Sequence, residues 1–473
     1  METTAIPGLL VVHLPVHADN RGWFKENWQR RKAVAAGVPD FEPVQNNISF
    51  NGSRGTTRGI HAEPWDKYVS VAQGRVFGAW VDLRQGATFG RVVTREVGPD
   101  TAIYVPRGVG NAFQTLADGT AYTYLVDDHW SVDNQGDYRF LNLADETVAI
   151  GWPIPLVDVE LSDKDLNHPR LGSVEPFVPA PILVVGSTGQ LGRALVDLLE
   201  AKAMPYQAVG RDVLDLSNPP AWGEDIRSGN GLRRYRAVVN AAAYTAVDEA
   251  EAPTGRSAAW AVNSTGVSAL AAACGAANVP FLHVSTDYVF DGGLPLERAY
   301  SVDSPVAPLS VYGQSKAAGE AAATSVRRHW LVRTSWVIGR GPNFVMTMER
   351  LAAQDVDPRV VNDQVGRLTF AEDLAEGILH LVDTAAPFGT YHLTGAGTPA
   401  SWATIARWVF EAVGADPDRV IPVSTTDYVG SRTGVAPRPA NSSLDLSKIR
   451  ATGFTPRDHK VSVMERGWRR SAE

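Results

Sequence analysis

Residues 182–192 read Ile182-Leu183-Val184-Val185-Gly186-Ser187-Thr188-Gly189-Gln190-Leu191-Gly192. The apolar run predicts a buried strand, the glycines a tight turn, and the apolar spacing from Leu191 to Leu199 a helix. Glycine lets a backbone pass close to a pyrophosphate, and a helix N-terminus offers N–H groups and a positive dipole end. Gly186, Gly189, Gln190, Leu191 and Gly192 are therefore candidate dinucleotide contacts. Further strands at Ala237-Val238-Val239-Asn240 and Phe281-Leu282-His283-Val284 continue the alternation. The second part of the chain reads as an α/β Rossmann fold with a parallel sheet.

Upstream the texture differs. Short apolar runs such as Tyr68–Ala72 and Val76–Val81 alternate with turns rich in Gly, Asp and Asn, the spacing of an antiparallel sandwich or barrel. Between the two textures, residues 174–180 contain prolines and read as a semi-rigid linker. The expected domains are residues 1–173 and 181–473.

A net charge of −8 and a pI of about 5.7 argue against a nucleic-acid binder. The N-terminus does not read as a signal peptide, and no apolar run is long enough for a membrane span. The single cysteine, Cys274, sits in an Ala-rich run and reads as a small core residue; a reducing cytoplasm fits.

Three local patterns carry chemistry. In the first part, Arg58-Gly59-Ile60-His61 precedes Lys67, and Leu161-Ser162-Asp163-Lys164-Asp165 follows much later. A histidine oriented by a carboxylate makes a general base, although spacing alone leaves that pairing open. In the second part, Tyr312-Gly313-Gln314-Ser315-Lys316 puts a phenol and an ammonium on one helical face. Such an ammonium is expected to favour the phenolate. Thr286, in Ser285-Thr286-Asp287-Tyr288, stands upstream at the separation of the hydroxyl–Tyr–Lys triad of short-chain dehydrogenases. Near Val209-Gly210-Arg211 the second strand ends on an arginine, which suits the 2′-phosphate of NADP; NADPH is expected, with NADH the alternative.

Longer runs carry a closer resemblance. Asp19–Glu26, Gln45–Ser49, Arg58–His61, Val81–Arg84 with Thr88–Gly90, Tyr104–Gly108 and Leu161–Asp165 are similar, in order, to the dTDP-4-dehydrorhamnose 3,5-epimerases, an all-β cupin-type jelly roll. The resemblance implies that His61 removes protons at carbons 3 and 5 of a dTDP-sugar and that Asp165 orients it. It implies that Lys67 stabilises the enolate and that Tyr124 reprotonates from the other face. Arg21, Glu26, Gln45, Asn47 and Arg58 would hold the sugar nucleotide, and the family implies a homodimer. Asn111 and Gln135 depart from the family, which has histidine and glutamate at these substrate contacts; epimerisation at one centre is the corresponding alternative. A cupin metal site is not expected, for want of clustered histidines.

Val239–Asp248, Ser285–Gly292, Ser310–Lys316, Arg333–Val337, Asp363–Gly366 and Ala436–Pro439 resemble the dTDP-4-dehydrorhamnose reductases, an extended short-chain dehydrogenase family. Leu368 replaces a usual proline. The resemblance implies cofactor contacts at Ala241, Ala242, Ala243, Tyr312 and Lys316, a proton from Tyr312, and a carbonyl held by Thr286. Some family members use magnesium, for which no ligands are expected from motif. Together the halves imply a bifunctional enzyme making dTDP-L-rhamnose. A 6-deoxy-L-talose product, or a first half kept only for binding, is the alternative.

Overall fold

The computed structural model describes residues 1–39, 41–129, 136–384 and 386–469. Gln135 lies outside them. The chain forms two compact units, Met1–Pro179 and Ala180–Glu473.

The first unit is an antiparallel jelly roll. One sheet runs Glu2–Thr3, Leu10–His13, Thr101–Val105, Lys67–Gln73, Thr120–Val126, Gln45–Asn51; the other runs Arg139–Phe140, Thr57–Ala62, Val109–Thr115, Val76–Asp82, Val92–Val97. Val11, Val69, Val71, Trp80, Ile103 and Phe113 form one core cluster drawn from both sheets. Fully burying an aliphatic side chain such as Ile103 contributes about 1.5–3 kcal/mol.

The expected linker is not free along its length. Phe177 donates its N–H to Leu83 O at 2.7 Å and accepts from Gln85 N at 3.0 Å. Its ring is buried against Gly108, where an added Cβ would come within 2.4 Å of it. An apolar side chain between prolines has found a slot, so the segment stays with the first unit as far as Phe177.

The second unit carries a six-stranded parallel sheet in the order Tyr206–Val209, Ile182–Val185, Ala237–Asn240, Phe281–Thr286, His329–Thr334, Gly389–His392. Helices Gln190–Ala201 and Ala371–Asp383 share one core cluster with the sheet, and Val267–Ala277 shares the other. Cys274 is fully buried there, and burial pushes its thiol up. A separate cluster joins Phe344–Ala353 to Trp402–Ala412. Strand order reverses between Ile182–Val185 and Ala237–Asn240, and ligands of open α/β sheets bind outside such a point.

Gly186 sits there with φ +82°, and an added Cβ would lie 2.6 Å from Ala242 N. Gly186→Ala is expected to lower the melting temperature of the second unit by more than the roughly 2–4 °C of a 1 kcal/mol loss. Gly275→Ala is the control. That residue is exposed in a helix with nothing near its Cβ, and alanine should stabilise it by about 0.5–1 kcal/mol. Calorimetry on both variants checks the contrast.

Candidate active sites

In the first unit, His61 lies on Thr57–Ala62, flanked in register by Asn111 and Phe140. Its Nε2 stands 2.9 Å from Asp165 Oδ1. A carboxylate only accepts, so the ring proton sits on Nε2 and Nδ1 keeps its lone pair as a base. Asp165 belongs to the one-turn helix Asp163–Leu166, fixed by Ser162, whose hydroxyl accepts from Asp165 N at 3.2 Å. Burial pushes this carboxyl up, but hydrogen bonds from His61 and Ser162 and the His61 charge outweigh it and hold the group below its usual range.

Lys67 begins the strand Lys67–Gln73; its side chain is 5% exposed and ion-paired with Glu63. The ammonium lies 5.8 Å from the ring centroid of Tyr124. Burial and then Glu63 push the Tyr124 phenol up, with Arg58 opposing, so it stays protonated as an acid must. Arg58 donates to Asn51 Oδ1 at 3.0 Å. Asn47 lies opposite Tyr124 and accepts from Gln45 Nε2 at 2.9 Å.

Asn111 has a defined task. Trp80 Nε1, which can only donate, lies 2.9 Å from Asn111 Oδ1, and the Tyr122 hydroxyl lies 3.0 Å from the same oxygen. The oxygen accepts both, which no single histidine nitrogen could do, and leaves the amide N–H₂ for other partners.

Two expected contacts stand apart from this group. Arg21 is 84% exposed and pairs with Asp19, while Glu26 pairs with Lys32. No hydrogen bond or ion pair among the described residues joins either to His61.

Three further residues escaped the sequence reading. Glu63 lies two residues beyond His61, a spacing that flags it only once the strand is known. Tyr138 has a buried hydroxyl without a hydrogen-bond partner among the described residues, and burial, Glu63 and Tyr124 push it up. His168 brings its ring centroid to 5.3 Å from that of His61, and burial and His61 hold it down, hence uncharged. The expected lack of clustered histidines is thus corrected: ligand atoms of His61, Asp165 and His168 lie within 4.8 Å of one another. His168 reaches the group because it follows one turn after Asp165. The 2.9 Å His61–Asp165 contact is a hydrogen-bond distance, and a proton fills it.

In the second unit, the helix Gln190–Ala201 starts at Gly189 with no side-chain cap, which leaves its first N–H groups for a ligand. With the closeness of Gly186 to Ala242, this fits a dinucleotide pyrophosphate. Leu191 buries its side chain, so only its backbone can meet the cofactor; Gln190 lies at the turn with its Nε2 3.5 Å from Pro342 O. Ala241 donates its N–H to Val185 O at 2.9 Å, and the loop through Ala243 continues from the switch point. Arg211 follows the second strand, 78% exposed, with Nε 3.4 Å from Asp215. Asp212 also folds back here: an added Cβ on Gly210 would lie 2.6 Å from its carboxylate. The strand end is therefore less purely basic than its sequence suggested.

Tyr312 and Lys316 lie one turn apart on Val311–Thr324, both buried. Ser310 caps this helix, accepting from Gly313 N at 3.1 Å. Thr286 ends the fourth strand, hydrogen-bonds Tyr312, and donates to Asp287 Oδ1 at 3.0 Å. Lys316 is hydrogen-bonded to the backbone. Its Nζ donates to Val284 O at 2.7 Å, and burial lowers its pKa to about 8. The Tyr312 phenol is instead pushed up, by burial and then by Asp287. Asp287 is itself raised to about 6 by burial, with hydrogen bonds from Ser442 and Thr286 opposing.

Comparison with known proteins agrees with this geometry. The family model for dTDP-4-dehydrorhamnose 3,5-epimerase matches residues 3–173, and that for the RmlD substrate binding domain matches residues 180–469. A protein of Streptococcus pyogenes named as an RmlC homolog is 49% identical over 183 residues, 38% of this chain and 92% of that protein. A dTDP-4-dehydrorhamnose reductase of Streptomyces griseus is 41% identical over 293 residues, 60% of this chain and 92% of that protein. The solved structure of dTDP-4-dehydrorhamnose reductase from Bacillus anthracis, in complex with NADP, is 31% identical with a TM-score of 0.55 and covers 61% of this chain and 98% of its own. The chain thus belongs to two families at once, the dTDP-4-dehydrorhamnose 3,5-epimerases through its first unit and the RmlD-type dTDP-4-dehydrorhamnose reductases through its second.

Proposed function

We propose that the chain is a bifunctional enzyme that epimerises dTDP-4-dehydro-6-deoxy-D-glucose at carbons 3 and 5 and reduces the 4-ketone to give dTDP-L-rhamnose. The observation that carries this reading is one chain holding both acid–base sets: His61–Asp165 with Lys67 and Tyr124, and Thr286–Tyr312–Lys316 at a switch point.

A ketone acidifies the C–H bonds beside it only if the enolate is stabilised. His61 Nδ1 takes the proton, and Asp165 holds the ring and supports the imidazolium. Lys67 supplies positive charge to the enolate oxygen in a site with little water. Tyr124 returns a proton from the opposite face. In the second unit, bound NADPH supplies hydride to carbon 4. Thr286 holds the carbonyl, Tyr312 gives its proton to the oxygen, and Lys316 holds the nicotinamide ribose. Arg211 favours NADPH over NADH through the 2′-phosphate. No magnesium site is assigned.

Among the described residues, Gln45–Asn51 is the last strand of its sheet, with Ile48 and Phe50 exposed at 69% and 68%. Edge strands that expose apolar residues associate readily, and we infer a homodimer through this face of the first unit. No helix among the described residues is long and apolar enough to cross a membrane.

The test is purified full-length protein given the 4-keto-D-glucose nucleotide and NADPH, with product identified by NMR. Formation of dTDP-L-rhamnose is expected. Turnover only after adding a known epimerase would overturn the first assignment, and a different sugar would correct the stereochemistry. Asp165→Asn should cut epimerisation by about 10²–10⁴-fold, measured by solvent deuterium exchange, with reduction of pre-epimerised substrate unchanged. Tyr312→Phe should do the reverse. Light scattering is expected to give a dimer, and Ile48→Glu with Phe50→Glu a monomer.

A further inference from the structure

Beneath Lys316 lies a fully buried histidine that the mechanism does not use. His283 Nε2 stands 3.4 Å from Lys316 Nζ, and His283 Nδ1 stands 3.1 Å from Asn240 Nδ2. Asn240 Oδ1 accepts the backbone N–H of Ala242 at 3.1 Å. Asn240, Asn263 and His283 are all completely buried, so water completes none of these valences.

The hydrogen bonds have only one consistent direction. Ala242 N–H can only donate, which fixes the Asn240 oxygen toward it and turns the Asn240 N–H₂ toward the ring. His283 Nδ1 must then be the acceptor. Burial, and then the Lys316 charge, hold the imidazole neutral. The single ring proton is therefore on Nε2, pointing at the lysine. A protonated lysine has no lone pair to receive it, so two donors face each other across 3.4 Å.

We propose that Asn240 and His283 are positioning residues of the reduction: they fix the imidazole as the Nε2–H tautomer, which limits the proton affinity of Lys316 and ties it to the Ala241–Ala243 loop. The inference rests on the reductase reading of the second unit. The ammonium keeps Val284 O as its backbone acceptor at 2.7 Å, closer than the imidazole Nε2 at 3.4 Å. Glu320, one turn along the helix, acts on Lys316 electrostatically and opposes the effect of burial, while its carboxylate pairs with Arg333 at 2.7 Å. Asp287 faces Tyr312 instead.

The sign follows. Lys316 loses its proton near pH 8, so reduction is expected to fall as pH rises through that range. Asn240→Asp keeps an oxygen for Ala242 but places a second acceptor at Nδ1. The ring proton moves to Nδ1, and Nε2 becomes an acceptor for the ammonium. The basic limb of kcat/KM for reduction should then move up by about one pH unit, a tenfold gain in proton affinity. His283→Gln, which can offer the lysine a carbonyl, should move it the same way if Asp is not tolerated at 240.

Nitrogen-15 histidine NMR on full-length wild-type protein reads the tautomer directly and needs no substrate. An Nδ1–H tautomer overturns the proposal, as does an unmoved basic limb in variants that keep the wild-type melting temperature. Absence of NADPH oxidation by wild-type protein on pre-epimerised substrate would instead overturn the reductase reading, with the NMR result still standing.

Discussion

Each unit takes a lysine ammonium out of water, and that is the constraint around which each site is arranged. An uncompensated buried charge costs several kcal/mol, so it must find a counter-charge or weaken its hold on the proton. Lys67 takes the first course. Glu63 meets it inside the jelly roll, and the same carboxylate adds to the burial that pushes the Tyr124 and Tyr138 phenols up. Lys316 takes the second. Its nearest carboxylate, Glu320, is committed to Arg333, and the lysine is left with a carbonyl and a reduced proton affinity. An enolate calls for a fixed charge, whereas an alcohol-forming reduction can work with a cation nearer neutrality.

The reaction order gives the pairing of units its value. Epimerisation beside a ketone is an equilibrium among 4-keto sugars and consumes nothing. Reduction removes the ketone and with it the acidity on which epimerisation depends. The reduction therefore draws the equilibrium toward product, and joining the two in one chain fixes their stoichiometry.

What the sequence made legible were features written into contiguous residues. The strand–turn–helix at Ile182–Leu199, the Tyr312–Lys316 pair and the division of textures near residue 175 follow from local patterning, and the structure contains each. The His61–Asp165 bond joins residues 104 positions apart and needed a family likeness to be foreseen. Contacts that depend on tertiary packing stayed hidden. His168 enters the base cluster only because a one-turn helix aims it there, and Asn240 meets His283 only because parallel strands set them in register. The Val284 carbonyl that accepts from Lys316 was equally hidden, because helical spacing gives proximity but not the direction in which an ammonium spends its protons.

The placing of Phe177 has a mechanical consequence. Asp165, on which the base depends, lies close to the end of the first unit, with little chain between it and the joint. A tug transmitted along the backbone from residue 180 onward would reach that carboxylate if nothing intervened. Phe177 intervenes, with its ring in the slot beside Gly108 and its backbone bonded on both sides to the Leu83–Gln85 segment. It works like the grip where a cable enters its housing: load arriving from outside is taken up at the wall, and the connection within stays slack.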